Sequence, residues 1–417
     1  RAAIGAFVGH AAPPESKEET IREWVTRNLG EEVFLRCIDP FVSGVYAGNP
    51  ETLSMKAALP KIARIEDISY SIDWNKWGAI FYGGLKRQVE LTKERKADPP
   101  KKEWVEFEYG NPGSFKRGLS TLPDAISKEL GLTPTSSTAA AATTTTDDDD
   151  SDNGSDEKDS KIRLGWKVQT IEKEGDLYKA TFQTNNNDDK TTATQIVYTK
   201  AVVSTIPTHA IKGVMTPVLP QVDRLADQIR EEIDRVGVYH PPVYAVTVAY
   251  PKSSFKDVEL DNGFGNLQNL PGFGSLNPRT EGVRTLGTLW SSSLFPGRCP
   301  EDYNMLLNYI GGSRDTGIAD LTEDEVIAEV DKGCRDVLLK PDAPAPRVMG
   351  LKLWPTAIPQ YELGHLKMME ELKEAESSSA PGLWICGNYK SGVAFPDCVT
   401  FGYEQAKVVN EYLDSLE

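Results

Sequence analysis

Near the C-terminus, Leu383-Trp384-Ile385-Cys386-Gly387-Asn388-Tyr389-Lys390-Ser391-Gly392-Val393-Ala394 runs from an apolar strand, across a glycine break, into an amphipathic helix ending near Leu413. A chain that leaves a strand at Gly387-Asn388 and enters a helix through Ser391-Gly392 leaves backbone N–H groups without intrahelical acceptors. They lie at the helix end that carries partial positive charge. Such a corner can hold a phosphate or the electron-rich edge of a flavin. A strand–glycine–helix corner is equally an ordinary α/β connection, so the rest of the chain must decide between the two.

Other chemistry-bearing residues are sparse. The five cysteines (Cys37, Cys299, Cys334, Cys386, Cys398) form no C-x-x-C and read as reduced, mostly packed thiols of an intracellular compartment. His10, His209, His240 and His365 are scattered, none at ligand spacing from another, which argues against zinc. No catalytic triad, metal cluster or pair of carboxylates stands out. The 62 acidic against 46 basic residues give a formal charge of −16, unpromising for nucleic acid. Much of that charge is local: Asp147 to Asp159 holds eight carboxylates and one lysine, and without it the charge is −9. With the Ala/Thr/Ser tract before it, this reads as a solvated, disordered insert over 133–160. No stretch reaches the roughly 18 apolar residues that span a bilayer, so membrane contact would be monotopic.

The elements that must position the corner are legible in part. Ser16 to Glu19 reads as a capping box before a helix with Ile21, Trp24, Val25 and Leu29 on one face, ending at Gly30. A second helix through Val33, Phe34, Leu35 and Ile38 should stop before Pro40. Lys86 to Lys102 is basic and proline-bearing and reads as a surface excursion, and Arg117 to Leu130 as a helix. Ile162 to Gln169 and Tyr178 to Gln183 read as strands turning at Glu174-Gly175-Asp176. Ala201 to Pro207 reads as a short buried strand returning to the sheet of Leu383 to Cys386. Strands over Pro242–Tyr250, Arg284–Leu289 and Asn304–Ile310, then a helix from Glu323 to Leu338, suggest a mixed sheet with helices on one side.

Five separated stretches carry a resemblance. They are Phe34 to Lys56, Gly113 to Leu119, Thr285 to Pro296 with Asn308 to Gly312, Trp354-Pro355-Thr356-Ala357-Ile358-Pro359-Gln360, and the terminal Gly387-Asn388-Tyr389. In order and spacing they resemble the protoporphyrinogen oxidase family, plastid type, over nearly the whole chain apart from the acidic insert. The resemblance implies FAD-dependent oxidation of protoporphyrinogen to protoporphyrin in haem and chlorophyll biosynthesis, with molecular oxygen reoxidising the flavin. It implies a plastid (chloroplast) setting on a thylakoid or envelope membrane, a monotopic membrane surface as partner, and leaves a homodimer or a membrane-protein complex open. The implied fold class is α/β plus α+β. It comprises a Rossmann-like FAD domain of discontinuous segments (76–211 and 380–417), a mixed-sheet substrate domain (212–379) and a helical, membrane-binding-like region (1–75) that walls the substrate cavity.

Carried over position by position, the resemblance assigns Gly387 and Asn388 to the FAD-contacting turn and Val393, Ala394 and Phe395 to backbone donors beneath the flavin. Val168 falls where the family's backbone meets the adenine. Gly44, Val243, Leu270 and Trp290 fall on the porphyrin cavity; plain core packing is the alternative for Val243 and Leu270. No residue is assigned a catalytic role, because the protein need only orient an apolar ligand against the flavin and tune its ring. Phe395-Pro396-Asp397 stands where the family has Leu-Gly-Arg, Phe401 replaces a glycine, and Lys390 a small residue. No G-x-G-x-x-G occurs in the chain, which begins at Arg1 inside what the resemblance makes a helical region. Two expectations follow: a piece of a longer flavoenzyme, or a flavin-free relative serving as a structural or assembly subunit on a photosynthetic membrane.

Overall fold

The computed structural model describes residues 18–70, 80–97, 113–131, 162–185, 192–227, 229–230, 235–260 and 265–416. The expected acidic insert therefore lies outside the described residues.

Helix α1 (Ile21–Leu29) starts where the Glu23 N–H donates to the Thr20 hydroxyl (3.1 Å) while the Glu23 carboxylate accepts the Thr20 N–H (3.0 Å). The capping pair is thus Thr20 and Glu23, directly before the first buried residue, and not the expected pair of Ser16 and Glu19; Ser16 is outside the described residues. Ile21, Trp24 and Val25 are buried, and Gly30 ends the helix at φ 90°.

The second helix, α2, corrects a sequence expectation. It runs through Pro40 and continues to Tyr46: α-helical over Glu31–Val33, π-helical over Phe34–Ile38, α-helical over Asp39–Tyr46. A proline clashes with the carbonyl four residues back and has no N–H to give it. The π turn before it, in which the Asp39 N–H reaches the Phe34 carbonyl, opens the register at that point and lets the helix pass.

Helices α3 (Met55–Ala58), α4 (Pro60–Tyr70) and α5 (Ile80–Ala97) follow, with α4 packed on α5. The stretch expected to be a surface excursion from Lys86 is the latter half of α5, where Arg87 pairs with Glu90 and Glu94 on its own helix. Residues 98–102 lie outside the described residues. Arg27 ties α1 to α4 through Glu66 (2.7 Å) and also holds Glu19 (2.6 Å). Helix α6 is Thr121–Glu129, inside the expected range.

Strands β1 (Trp166–Glu174) and β2 (Leu177–Asn185) turn at Gly175-Asp176, and β3 (Thr192–Thr199), unforeseen from its polar sequence, extends them in the order β1-β2-β3. β4 (Val202–Ser204) pairs in parallel with β10 (Leu383–Ile385), the long-range return anticipated for the cradle.

The large sheet comprises β5 (Val243–Pro251), β6 (Gly274–Leu276), β7 (Thr285–Leu289), β8 (Tyr303–Gly311) and β9 (Arg347–Trp354), in the order β6-β7-β8-β5-β9. Every pairing in it is antiparallel. The parallel pairing belongs to β4 and β10, so the two kinds of ladder sit in separate sheets. Helix α7 (Glu323–Val337), started by a Thr322–Glu325 capping box, lays Val326, Val330 and Cys334 on Val246, Val248, Leu306 and Ile310. Helix α8 (His365–Ser379), the single turn α9 (Asn388–Ser391) and the long helix α10 (Phe395–Asp414) complete the chain. The chain divides into two compact units, residues 1–104, 172–178 and 199–417 in one and 105–171 with 179–198 in the other. Among the described residues no helix is long and apolar enough to cross a membrane.

Candidate functional site

The corner after β10 is held from several sides. Glu376 of α8 accepts the Ile385 N–H (2.8 Å) and, through both oxygens, the Lys390 ammonium (3.0 Å each); Lys390 also donates to the Ile385 carbonyl (3.0 Å). Lys390, one of the departures noted in the sequence, therefore staples strand, turn and α8 through a mostly buried ion pair. The Tyr361 hydroxyl donates to the Asn388 carbonyl at the start of α9. His365, stacked on Tyr361 with ring centres 4.5 Å apart, donates its Nε2–H to the Tyr389 carbonyl (2.8 Å). Burial pushes the His365 imidazole down to about 4, so it stays neutral in this position.

Gly392 must be glycine. Its φ is 108°, and a Cβ would lie 3.2 Å from the Asp397 side chain. Beyond it, α10 begins at Ala394 without a side-chain cap. Among the described residues the N–H groups of Val393, Ala394 and Phe395 have no hydrogen-bond acceptor. They are free donors at the positive end of a 20-residue helix.

Asn388 connects this corner to a cavity of about 650 Å³. One wall is α2 (Gly44, Val45, Ala47), another is the large sheet (Val243, Leu286, Tyr309, Trp354), and Pro207, Ala357 and Ile358 close it. The lining is apolar except for His209, His240, Tyr309, Thr356 and Asn388. His240 is buried and fully used: its Nδ1–H donates to the Ala357 carbonyl (3.1 Å) and its Nε2 accepts the Thr208 hydroxyl (2.8 Å). Burial holds its basicity below that of an ordinary imidazole. A second groove of about 450 Å³ runs between β4, the turn and α10, lined by Val203, Cys386, Phe401 and Val409 among others.

Of the residues singled out from sequence, Gly44 and Val243 line the larger cavity, Gly387 and Asn388 form the turn, and Val393, Ala394 and Phe395 lead into α10. Leu270 and Trp290 do not line that cavity. Both are packed into the core of the large sheet, Trp290 against Gly272, with its indole N–H unpaired. Val168 lies half-buried on β1. Sequence reasoning missed His209, His240 and Tyr361, because their separation along the chain matches no ligand or catalytic spacing. Among the described residues no cluster of His, Cys, Asp or Glu could hold a metal ion.

A strand–glycine–helix corner with free helix N-terminal donors, its turn residue Asn388 lining an apolar cavity beside an antiparallel sheet, is an arrangement suited to a flavoprotein oxidoreductase. The chain belongs to the family of flavin containing amine oxidoreductases, whose model matches residues 5–410. Its similarity is to the plastid protoporphyrinogen oxidases: it is 39% identical to the chloroplastic enzyme of Oryza sativa subsp. japonica and 38% to chloroplastic enzyme 1 of Arabidopsis thaliana. Each match takes in 99% of this chain, and 67% and 66% of those proteins. The chain thus spans about two thirds of the length of the curated relatives it matches. Among solved structures, cyclohexylamine oxidase from Brevibacterium oxydans IH-35A superposes with a TM-score of 0.51 at 14% identity, over 99% of this chain and 73% of its own, which bears on the fold alone.

Proposed function

We propose that this chain acts in FAD-dependent oxidation of protoporphyrinogen to protoporphyrin in the plastid. What carries the reading is the cavity: a space of about 650 Å³, apolar on most of its walls, one of whose lining residues, Asn388, belongs to the turn that leads into α10. Its volume lies within the range of about 300–1,000 Å³ usual for cofactor-sized and drug-sized ligands.

The residues present fit the ring edge of a flavin. Uncapped N–H groups of Val393, Ala394 and Phe395 suit a carbonyl-bearing edge, and Gly387 and Asn388 would hold the adjoining turn. When bound, the flavin supplies two-electron oxidation. The chain's own residues do the rest. Gly44, Val45 and Val243 exclude water and face a flat, apolar ligand; Tyr361, His365 and Lys390 keep the turn rigid. Molecular oxygen as the reoxidant, a monotopic membrane surface along α1 and α2, a thylakoid or envelope setting and a homodimer belong to the same proposal.

One observation favours a second reading, a flavin-free relative with a structural or assembly role. Asp397 folds back beneath Gly392 and places a carboxylate at the positive end of α10, where it already offsets the helix dipole.

Flavin-supplied chain, assayed for porphyrin fluorescence appearing from protoporphyrinogen, separates the readings. Val45→Trp, at a half-exposed position on the cavity wall, is expected to lower turnover at least ten-fold with flavin absorbance and melting temperature unchanged. Trp290→Ala should instead destabilise the fold by about 3–5 kcal/mol, as for any large core residue. A chain that takes up no flavin would support the second reading.

A further inference from the structure

We propose that His209 is the proton acceptor of the cavity. The inference rests on the substrate class proposed above and adds a residue that neither the sequence motifs nor the flavin corner provides.

Three side chains with titratable rings face the cavity: His209, His240 and Tyr309. His240 cannot take a further proton without breaking a bond, since Nδ1 already donates to Ala357 and Nε2 already accepts from Thr208. Tyr309 is a phenol that burial makes still weaker as an acid. His209 stands apart from both. Its ring is exposed to the cavity, set edge-to-face against His240 at 5.5 Å and 81°, with no hydrogen-bond partner among the described residues. The stack fixes where the ring sits; the lack of a partner leaves its nitrogens for a ligand. The charged groups nearby are engaged elsewhere. On the turn Asp223–Ala226, which packs against the 208–210 turn, Asp223 accepts from Gly213 and Thr216, and Arg224 pairs with Glu371 at 3.0 Å. Lys212 pairs with Asp227 at 2.7 Å.

The chemistry needs such a group. In a two-electron oxidation of the macrocycle a C–H bond of a carbon bridge breaks and its electron pair leaves as hydride, for which a bound flavin would supply the acceptor. The positive charge left on the tetrapyrrole is discharged when a pyrrole N–H bond breaks and its electrons enter the new double bond. The proton from that nitrogen goes to the imidazole of His209, whose exposed ring can pass it on to solvent.

The test needs no flavin. Neutral His209 accepts a hydrogen bond from a pyrrole N–H, and the imidazolium cannot, so ligand binding and protonation of His209 oppose one another. Binding of anaerobic protoporphyrinogen by the 417-residue chain, read by quenching of tryptophan fluorescence, is measured from pH 5.5 to 8.5. The ligand's own carboxylates titrate near pH 4, below this window. For the native chain, affinity is expected to be lower at pH 5.5 than at pH 8.5 by about ten-fold or more. His209→Gln should bind with no pH dependence, and His209→Lys, a fixed cation, weakly throughout. A pH slope that survives in His209→Gln, or a native chain with no slope, overturns the role of His209 alone. A native chain that does not bind the porphyrinogen at any pH overturns the substrate class and this proposal with it.

Discussion

At the residue scale, the corner depends on side chains that the motifs do not mark. His365 is the clearest. Its imidazole is buried, used once at Nε2, unpaired at Nδ1, and held down to about 4 by burial. The sign of the consequence follows from proton counting. Between the unfolded value of about 6.5 and the folded value, the unfolded chain binds the proton and the folded chain does not. Stability contributed by this group is therefore full above pH 6.5 and is lost as pH falls toward about 4, by roughly 3 kcal/mol if the whole shift is expressed. His365→Gln keeps a donor for the Tyr389 carbonyl and removes the titration. Urea unfolding between pH 4 and 7 should show a shallower acid loss in that variant; an identical slope would mean that His365 protonates without strain. The motif residues Gly387 and Asn388 were legible because glycine and asparagine mark turns; the brace around them was not, because Tyr361, His365 and Glu376 reach the turn from α8 and the loop before it.

At the element scale, the sequence was most readable where one rule acts alone. The hairpin at Gly175-Asp176, the capped helix α7 and the return of β10 to β4 all follow from turn chemistry, capping or apolar runs. It misled where two rules meet. Pro40 signals a helix stop, yet the π turn at Phe34–Ile38 absorbs the proline and carries α2 on to present Gly44 and Val45 to the cavity. This account predicts a specific non-additivity. Deleting the exposed Arg36 should return the helix to α register and bring the proline ring against a carbonyl, costing about 3 kcal/mol or more. Pro40→Ala alone should change stability by about 1 kcal/mol or less, and adding it to the deletion should restore most of the loss. Chemical denaturation of the four proteins measures the coupling; strictly additive losses would show that the π turn has another cause. Trp290 illustrates the same limit, since a position aligned with a ligand wall is, in this fold, packed among Leu267, Leu270 and Leu306.

At the scale of the whole molecule, burial is uneven. The large sheet with α7 and the α1–α3 region each have a contiguous core. Helix α10, by contrast, has no buried residue along its length and exposes Phe395, Val399, Tyr403 and Val408. Among the described residues the parallel sheet beside it consists of β4 and β10, although parallel ladders are ordinarily covered on both faces. An exposed apolar surface on α10 is a property of the 417 residues that can be measured directly. The groove of about 450 Å³ between β4 and α10, with Phe401 in its wall, should bind an environment-sensitive apolar dye in the native state. Phe401→Asp should cut that dye fluorescence several-fold. It should leave the melting temperature within a few degrees, because the ring is only half-buried and belongs to neither the large-sheet core nor the α1–α3 core. Native-state dye binding that persists in Phe401→Asp would place the exposed apolar surface elsewhere. A large fall in melting temperature would show that the groove is closed in solution and that α10 is packed more tightly than its exposed face implies.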